Sequence, residues 1–460
     1  MSMLKEKPFL TPNDAELMGT DDAVSIQNAI DAAAEAGVNK VVIPRYNKRT
    51  DSVVWTICAT IRIPSDMTLV LDNCHLQLAQ GFVGQMFTNS HSCSEEGKLI
   101  AGEQTNIRIL GKGEVVLDGG MAEEKDAESG NVWDRTLLYF HNVRNFTVDG
   151  LRVMDQRGWG LCFMYCSYGK ISNIDFDAKG NVPNQDGIVL RCGCHDLTVE
   201  NITGYAGNDV VALTAVAGQQ MEVPYSVMGH SVDVRNIIVR NIKAASRGGA
   251  NIVSLFNQDG LLLYNILIEH VSDISTAYAD KRPFSAVRIG GKKEEVNVRE
   301  VLHGETKNIT VSNVFTRARY GVAVSATLAD SLIESLHVHD DGEVAVGVCP
   351  VGEKGVTTVS NLLLKGIYYN VDQKTADGSA ELAPSEYVGG VICLENCEGK
   401  NISVRDVFCD KAAYLVNASG EVAIDVTGAV ADELGDTLVK KAKKAKVTLK
   451  NVKVKGEVQK

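Results

Sequence analysis

An all-β chain wound as a parallel β-helix is what this 460-residue sequence predicts, and three observations carry the expectation. A single amphipathic helix stands near the start. Short β-branched runs punctuated by Asn, Asp and Gly fill almost everything after it, and those runs recur at intervals of about two dozen residues.

The helix comes first. In "TDDAVSIQNAIDAAAEAG", Ala23, Ile26, Ile30 and Ala33 share one face, with Thr20 as the expected N-cap and Gly37 as the stop. From about Val41 the pattern is one of strands. The strongest runs are "TLLYFHN" from Thr136, "GLCFMYC" from Gly160, "GIVLRCG" from Gly187, "VVALTAV" from Val210 and "NIVSLFN" from Asn251. They continue as "AVRIGG" from Ala286, "GVAVSA" from Gly321, "VAVGV" from Val344, "GGVICLE" from Gly389 and "AYLVNA" from Ala413. Several steps are 23 to 27 residues, and longer ones read as the same unit with an inserted loop. Most runs are followed by a second of shared character: "VRNFTVDGL", "YGKISNIDF", "HDLTVENIT", "VRNIIVRNI", "TKNITVSNV", "GKNISVRDV" and "KVTLKNVKV". A weak helical period returns over Ala431 to Ala445.

A unit of this size, made of strands and tight turns, cannot bury a face alone. Stacked in parallel, successive coils enclose a continuous apolar interior, with residues one repeat apart about 4.8 Å from each other along the axis. Leucine-rich repeats have a similar period, but their L-x-x-L-x-L pattern is absent. The expected layout is a single domain: a cap region over 1–40, coils over 41–430 and a C-terminal edge over 431–460. The first helix then covers a sheet edge that would otherwise invite aggregation.

Composition narrows the function. A formal charge of -12 argues against general nucleic-acid binding, and the Lys-rich end from Lys440 to Lys460 reads as a solvated edge. No run approaches a membrane span, and "MSMLKEKPFLTPND" holds no signal-peptide core, so the chain as given reads as cytoplasmic. Eleven cysteines in tight pairs such as Cys162/Cys166, Cys192/Cys194 and Cys393/Cys397 read as free buried thiols. "HVHDD" at His337 to Asp341 puts two histidines on one strand face without a third ligand at supporting spacing, so no metal and no cofactor is expected.

The capping helix, the repeats and several local motifs resemble the pectin-lyase-like right-handed parallel β-helices, and most closely the polygalacturonase-type glycoside hydrolases of family 28. The resemblance covers roughly Thr20 to Ile289. "GKGEVVLDGG" looks like the family's G-x-G-x-I-D-G segment. "NQDGIVLRCGCHDLTVENITGYAGNDVVALTA" is similar to its N-T-D-G rung followed by G-D-D-C-x-A-x-K, and "GHS" at Gly229 to Ser231 is similar to its G-H-G. On that alignment Asp186 matches the N-T-D aspartate, Asn208 and Asp209 match the Asp-Asp pair, and His230 matches the histidine. Asn208 is a departure, because the family's general acid is usually assigned there and an amide donates no catalytic proton. The family's R-I-K grip on a uronate has no clean match; Arg247, Arg288 and Lys292 are the cations at hand.

The residues make chemical sense on their own. Asp186 and Asp209 lie 23 residues apart and should face the same way on adjacent coils. Close carboxyls split their pKa values, and glycoside hydrolysis needs one carboxyl to protonate the leaving oxygen and another to activate water. His230, 21 residues after Asp209, is expected one coil on, tuning the pair. The expected catalytic set is Asp186, Asp209 and His230. The expected substrate contacts are Asn184, Asn208, Trp159, Arg247, Arg288 and Lys292. Each has a bland counterpart: Asp-Gly turns, a surface histidine, a surface ion pair, an indole packed inside the coil. The second "NQDG", at Asn257 to Gly260, lacks a following "GNDVVAL", so Asp259 reads as a turn residue.

The expected activity is therefore hydrolysis of an O-glycosidic bond in an oligosaccharide, uronate-containing or pectin-like, inverting as the resemblance implies and exo-acting. A lyase or uronate epimerase on the same scaffold, and a non-catalytic glycan-binding or structural β-helix, are the alternatives. The expected partner is the oligosaccharide, with no nucleic acid or membrane; a homo-oligomer stays open.

Overall fold

A computed structural model describes residues 7–92, 94–120, 135–216, 226–258, 260–291, 301–348 and 356–459. The chain forms two compact units, one of Met1–Val211 with Ala217–Val234, the other of Ala212–Val216 with Arg235–Lys460. Both are built as right-handed parallel β-helix, and the one α-helix among the described residues lies at the N-terminal end of the first.

That helix, Asp22–Ala36, buries Ala23, Ile26, Ala29, Ile30 and Ala33, the predicted face. Its N-cap is Asp21 rather than Thr20: the Asp21 carboxylate accepts from the Val24 amide at 2.8 Å, while the Thr20 hydroxyl is turned to Asp21 itself. Gly37 closes the other end with φ 71°, a left-handed conformation that glycine adopts without cost. The helix seals the first coil through Gln27, whose side chain donates to the Arg62 carbonyl (3.1 Å) and accepts from the Arg62 amide (2.8 Å). Those are the groups an open sheet edge would leave bare.

Above the cap, short strands stack in parallel: Ile61–Ile63, Phe87–Asn89, Leu138–His141, Leu161–Met164 and Ile188–Arg191. A second ladder runs through longer strands, Gln104–Lys112, Val143–Met154, Ser167–Asp177 and His195–Ala206. Leu138, Leu161 and Ile188 are in register, so the 23- and 27-residue steps are single coils. Inside, Phe146 and Phe163 stack at 5.0 Å and Phe140 meets Phe163 edge-on at 5.8 Å.

The shared flavour of the second runs has a backbone cause. Long strands bend at two left-handed residues five positions apart, as at Asp196 and Asn201 in His195–Ala206 or at Asn236 and Asn241 in Val234–Ser246. Asparagine tolerates that conformation, and its side chain bonds the equivalent residue one coil away, as from Asn201 to Asn173 at 3.0 Å.

The second unit is built of two ladders of the same kind. Short strands are Asn251–Asn257, Ser285–Ile289, Tyr320–Val324 and Val344–Val348; long ones are Leu263–Asp273, Thr306–Thr316, Leu328–Asp340 and Thr357–Val371. The helical period expected over Ala431 to Ala445 does not form a helix. Residues Gly390–Lys441 run as strand, and Ala423–Ala431 pair in parallel with Lys446–Val454. Alternate burial at Val422, Ile424 and Val426, and again at Ala429 and Ala431, sets a period of two in the stretch that leads into that segment, and farther on the Ala442 amide donates to the Ala418 carbonyl of an earlier coil at 2.9 Å. Lys446–Val454 is largely exposed, the lysine-studded edge that composition suggested.

Eight of the nine cysteines among the described residues are buried free thiols, Cys58 being exposed. Burial pushes the Cys194 thiol up to about 12. His337 of "HVHDD" is a rung in an outward stack, with ring centroids 4.1 Å from Phe315 and 4.3 Å from Tyr368. His339 turns to Asp340.

Candidate active site

The first "NQDG" lies at the start of the strand Ile188–Arg191. Asn184 makes the turn, exposed and left-handed at φ 56°. Gln185 is fully buried and joins three coils. Its side-chain amide donates to the Gln156 carbonyl (2.8 Å) and its side-chain oxygen accepts from the Gly180 amide (2.9 Å). Its backbone carbonyl accepts from the amides of Gly207 (2.9 Å) and Asn208 (3.0 Å). Gln156 answers by donating to the Asp186 carbonyl at 3.1 Å.

Gly187 is not a turn glycine, for its φ is not left-handed. It is demanded by close approach: its amide donates to the Asp209 carbonyl at 2.9 Å, and a Cβ would lie 2.4 Å from the Val210 carbonyl oxygen. The backbone of one coil thus rests directly on the next, and the 23-residue interval delivers what its length predicted.

Asp186 projects into that junction. Its Oδ1 accepts from the Asn208 side-chain amide at 2.6 Å and from the Asp209 backbone amide at 3.0 Å. Only 6% of the residue is exposed. Burial first, and the negative charge of Asp209 second, push the Asp186 carboxyl from 3.8 up to about 7. The Asn208 and Asp209 hydrogen bonds and the Arg191 guanidinium pull the other way. Both hydrogen bonds fall on Oδ1, which leaves Oδ2 as the seat of the proton. Asn208 and Asp209 themselves are half-buried. The junction therefore sets a buried carboxyl that holds its proton toward neutrality beside a second, more accessible carboxylate, the division of labour an acid–base pair requires.

Trp159 is packed inside, with the buried Arg191 guanidinium 4.6 Å from its ring centroid. One face of the indole is thus covered by a cation from the end of the Asp186 strand. His230 lies on a connecting segment, not on a short strand one coil after Asp209. Its segment is tied to the other end of Ile188–Arg191, where Val232 accepts from the Gly193 amide at 2.8 Å, and its ring meets Tyr165 edge-on at 6.3 Å. Residues 94–103 form a strap along the same strand ends. Asn142 donates to the Gly97 and Leu99 carbonyls (3.1 and 2.9 Å), and the Met228 amide donates to the Lys98 carbonyl at 2.8 Å.

In the second unit, Arg247 is exposed after the strand Val234–Ser246. Arg288 stands on Ser285–Ile289, its Nε donating to the Ser325 hydroxyl (3.3 Å) and its guanidinium 5.3 Å from the Phe284 ring centroid. Lys292 and Asp259 lie outside the described residues. Gln185, Gln156 and Arg191 escaped the sequence reading. The glutamine's recurrence in both "NQDG" stretches was the one available signal. Among the described residues no group of three His, Cys, Asp or Glu side chains is arranged to hold a metal ion.

Residues 55–279 match the family described as glycosyl hydrolases family 28. No curated protein matches the chain. Among solved structures, a mutant tailspike protein of E. coli bacteriophage HK620, solved with a pentasaccharide, aligns at 14% identity with a TM-score of 0.53, over 98% of this chain and 81% of that one. Likeness of that order concerns the fold alone. The hyperthermoactive exopolygalacturonase from Thermotoga maritima aligns at 15% identity and TM-score 0.45, over 97% of this chain and 92% of that one. The family 28 exopolygalacturonase of Yersinia enterocolitica aligns at 13% identity and TM-score 0.47, over 98% and 79%.

Proposed function

We propose, on the premise that residues 55–279 of this chain belong to glycosyl hydrolases family 28, that this glycosidase cleaves a pectin-like, uronate-containing oligosaccharide with Asp186 and Asp209 as its acid–base pair. The observation that carries the reading is the Asp186 carboxyl, buried against Asn208 and Asp209 and raised to about 7. A carboxyl in that state can protonate the leaving glycosidic oxygen near neutral pH, while Asp209 takes a proton from the attacking water on the opposite face of the sugar. The proton delivered from Oδ2 of Asp186 neutralises the departing alkoxide; water supplies the new anomeric hydroxyl, and its proton passes to Asp209. Asn208, at the place of the family's usual first aspartate, acts as a positioning residue that fixes Oδ1 and reserves Oδ2 for the proton.

Inversion and exo-action are parts of the proposal. Inversion accords with a water-activating second carboxylate. For exo-action, the strap at 94–103 is assigned as the wall that stops the bound chain beyond the strand ends opposite Asp186. His230, on that side too, is assigned to substrate contact rather than to tuning the pair.

Oligogalacturonides of defined length, incubated with the purified chain, test it together. New reducing ends, released one sugar at a time with the inverted anomer first in the proton NMR spectrum, are expected. An unsaturated, ultraviolet-absorbing product would point instead to the lyase chemistry that the Asn208 departure also permits. Release of internal fragments would remove exo-action.

A further inference from the structure

The second unit contains a cavity of about 710 Å³ that the proposed hydrolysis does not use. It opens at the turns that precede the strands Ser285–Ile289, Tyr320–Val324, Val344–Val348 and Gly390–Lys441, and its walls include Tyr278, Arg282, Arg317, Glu343, Asp372 and Lys374. Its size falls within the range of small-molecule sites, about 300–1,000 Å³.

Three features make it a built site. The floor is Arg317, 1% exposed, whose Nε and Nη2 donate to the two oxygens of Asp341 at 2.6 and 2.7 Å. The wall charges are otherwise paired as well: Arg282 and Arg319 hold Glu343 (3.3 and 2.9 Å), and Lys374 holds Asp372 (2.9 Å). Tyr278 stands at the rim, 41% exposed and left-handed at φ 60°, its ring laid against Gly378, where a Cβ would come within 3.1 Å of it. A bulky side chain in that backbone conformation is strained, and such strain persists where the surroundings hold the ring in one place. The loop carrying Lys374 and Gly378 is itself pinned by Gln373, 1% exposed, which accepts from the Val388 amide at 2.9 Å and donates to the Val388 carbonyl at 3.2 Å.

Planar carboxylate and guanidinium groups offer paired acceptors and donors to vicinal hydroxyls, and a phenol ring packs against the C–H face of a sugar. Because the charges already answer one another, no bare cation is left to grip an anion, and the lining carries more carboxylates than cations, Asp280 and Glu386 being added to the paired ones. We propose that this cavity is a saccharide-binding site for neutral sugar units, selective against uronates. The inference does not depend on hydrolysis at Asp186 and Asp209.

The test is titration calorimetry and saturation-transfer NMR on the full chain with galactose, rhamnose and xylose as neutral probes, against galacturonate and galactosamine. Saturable binding of a neutral sugar is expected, retained in Asp186→Asn and in Tyr278→Phe and weakened roughly ten-fold in Tyr278→Gly. Glycine relieves the left-handed backbone, so the melting temperature of Tyr278→Gly should not fall, which separates a binding role from a structural one. The proposal is overturned if no neutral sugar binds, if galacturonate or galactosamine binds more tightly in a way that Tyr278→Gly weakens, or if Tyr278→Gly leaves the affinity for the neutral sugar unchanged.

Discussion

Replacing Asp186 with asparagine removes a titrating proton while keeping the shape that the junction needs. The Asn oxygen can accept from Asn208 and Asp209 as Oδ1 does, and its amide stands where the protonated Oδ2 stood. In wild type the carboxyl sits at about 7 against an ordinary 3.8. Below about pH 4 folded and unfolded chains both hold the proton and the site exacts no penalty. Between those values the unfolded chain has released its proton and the folded chain has not, so stability falls as pH rises and levels off above about pH 7. The loss amounts to about 4 kcal/mol at 1.4 kcal/mol per pH unit. For a chain of this length an unfolding entropy of about 1 kcal/mol/K converts that to about 4 °C. Thermal unfolding of wild type and Asp186→Asn, compared from pH 4 to pH 8, should show the variant gaining that margin progressively across the interval. A difference that does not change with pH would refute the reasoning, since it would mean that Asp186 ionises in the fold as it does in water.

Other substitutions probe the same junction. Asn208→Asp brings a like charge within hydrogen-bond reach of Asp186, so the basic limb of the pH–rate profile should move upward and stability at pH 8 should drop, both read against wild type. Gly187→Ala forces a Cβ onto the Val210 carbonyl and should cost about 1–3 kcal/mol in chemical unfolding, with a loss of turnover as Asp186 shifts. Gln185→Ala orphans buried partners at Gln156 and Gly180; about 1–3 kcal/mol of stability should go, and kcat should fall more than KM rises.

The coils were legible because their signal is local and repeated. Left-handed corners five residues apart, often asparagine, and interior runs such as Leu161–Met164 recur from coil to coil. The Asp186–Asp209 pairing was legible for the same reason, since no insertion interrupts that coil. Where insertions occur, counting fails: His230 sits on a connecting segment rather than on a strand. Ala431 to Ala445 misled because alanine and lysine favour helices in isolation, while an earlier coil offers the segment a partner, as where the Ala442 amide donates to the Ala418 carbonyl. Thr20 and Asp21 are adjacent capping residues, and only the geometry says which carboxylate or hydroxyl faces Val24. Gln185 was missed because most of its bonds, to Gln156, Gly207 and Asn208, are long-range, and only its recurrence in both "NQDG" stretches hinted at them.

The account's central claim is that Asp186 donates the proton and Asp209 receives one. Its most direct test is the pH dependence of kcat/KM on a galacturonate oligomer for wild type, Asp186→Asn and Asp209→Asn. A bell with its basic limb near 7, and losses of roughly 10²–10⁴-fold in both variants, is the expected result. Wild-type activity that persists unchanged well above pH 7, or either variant retaining nearly full kcat/KM, would contradict it.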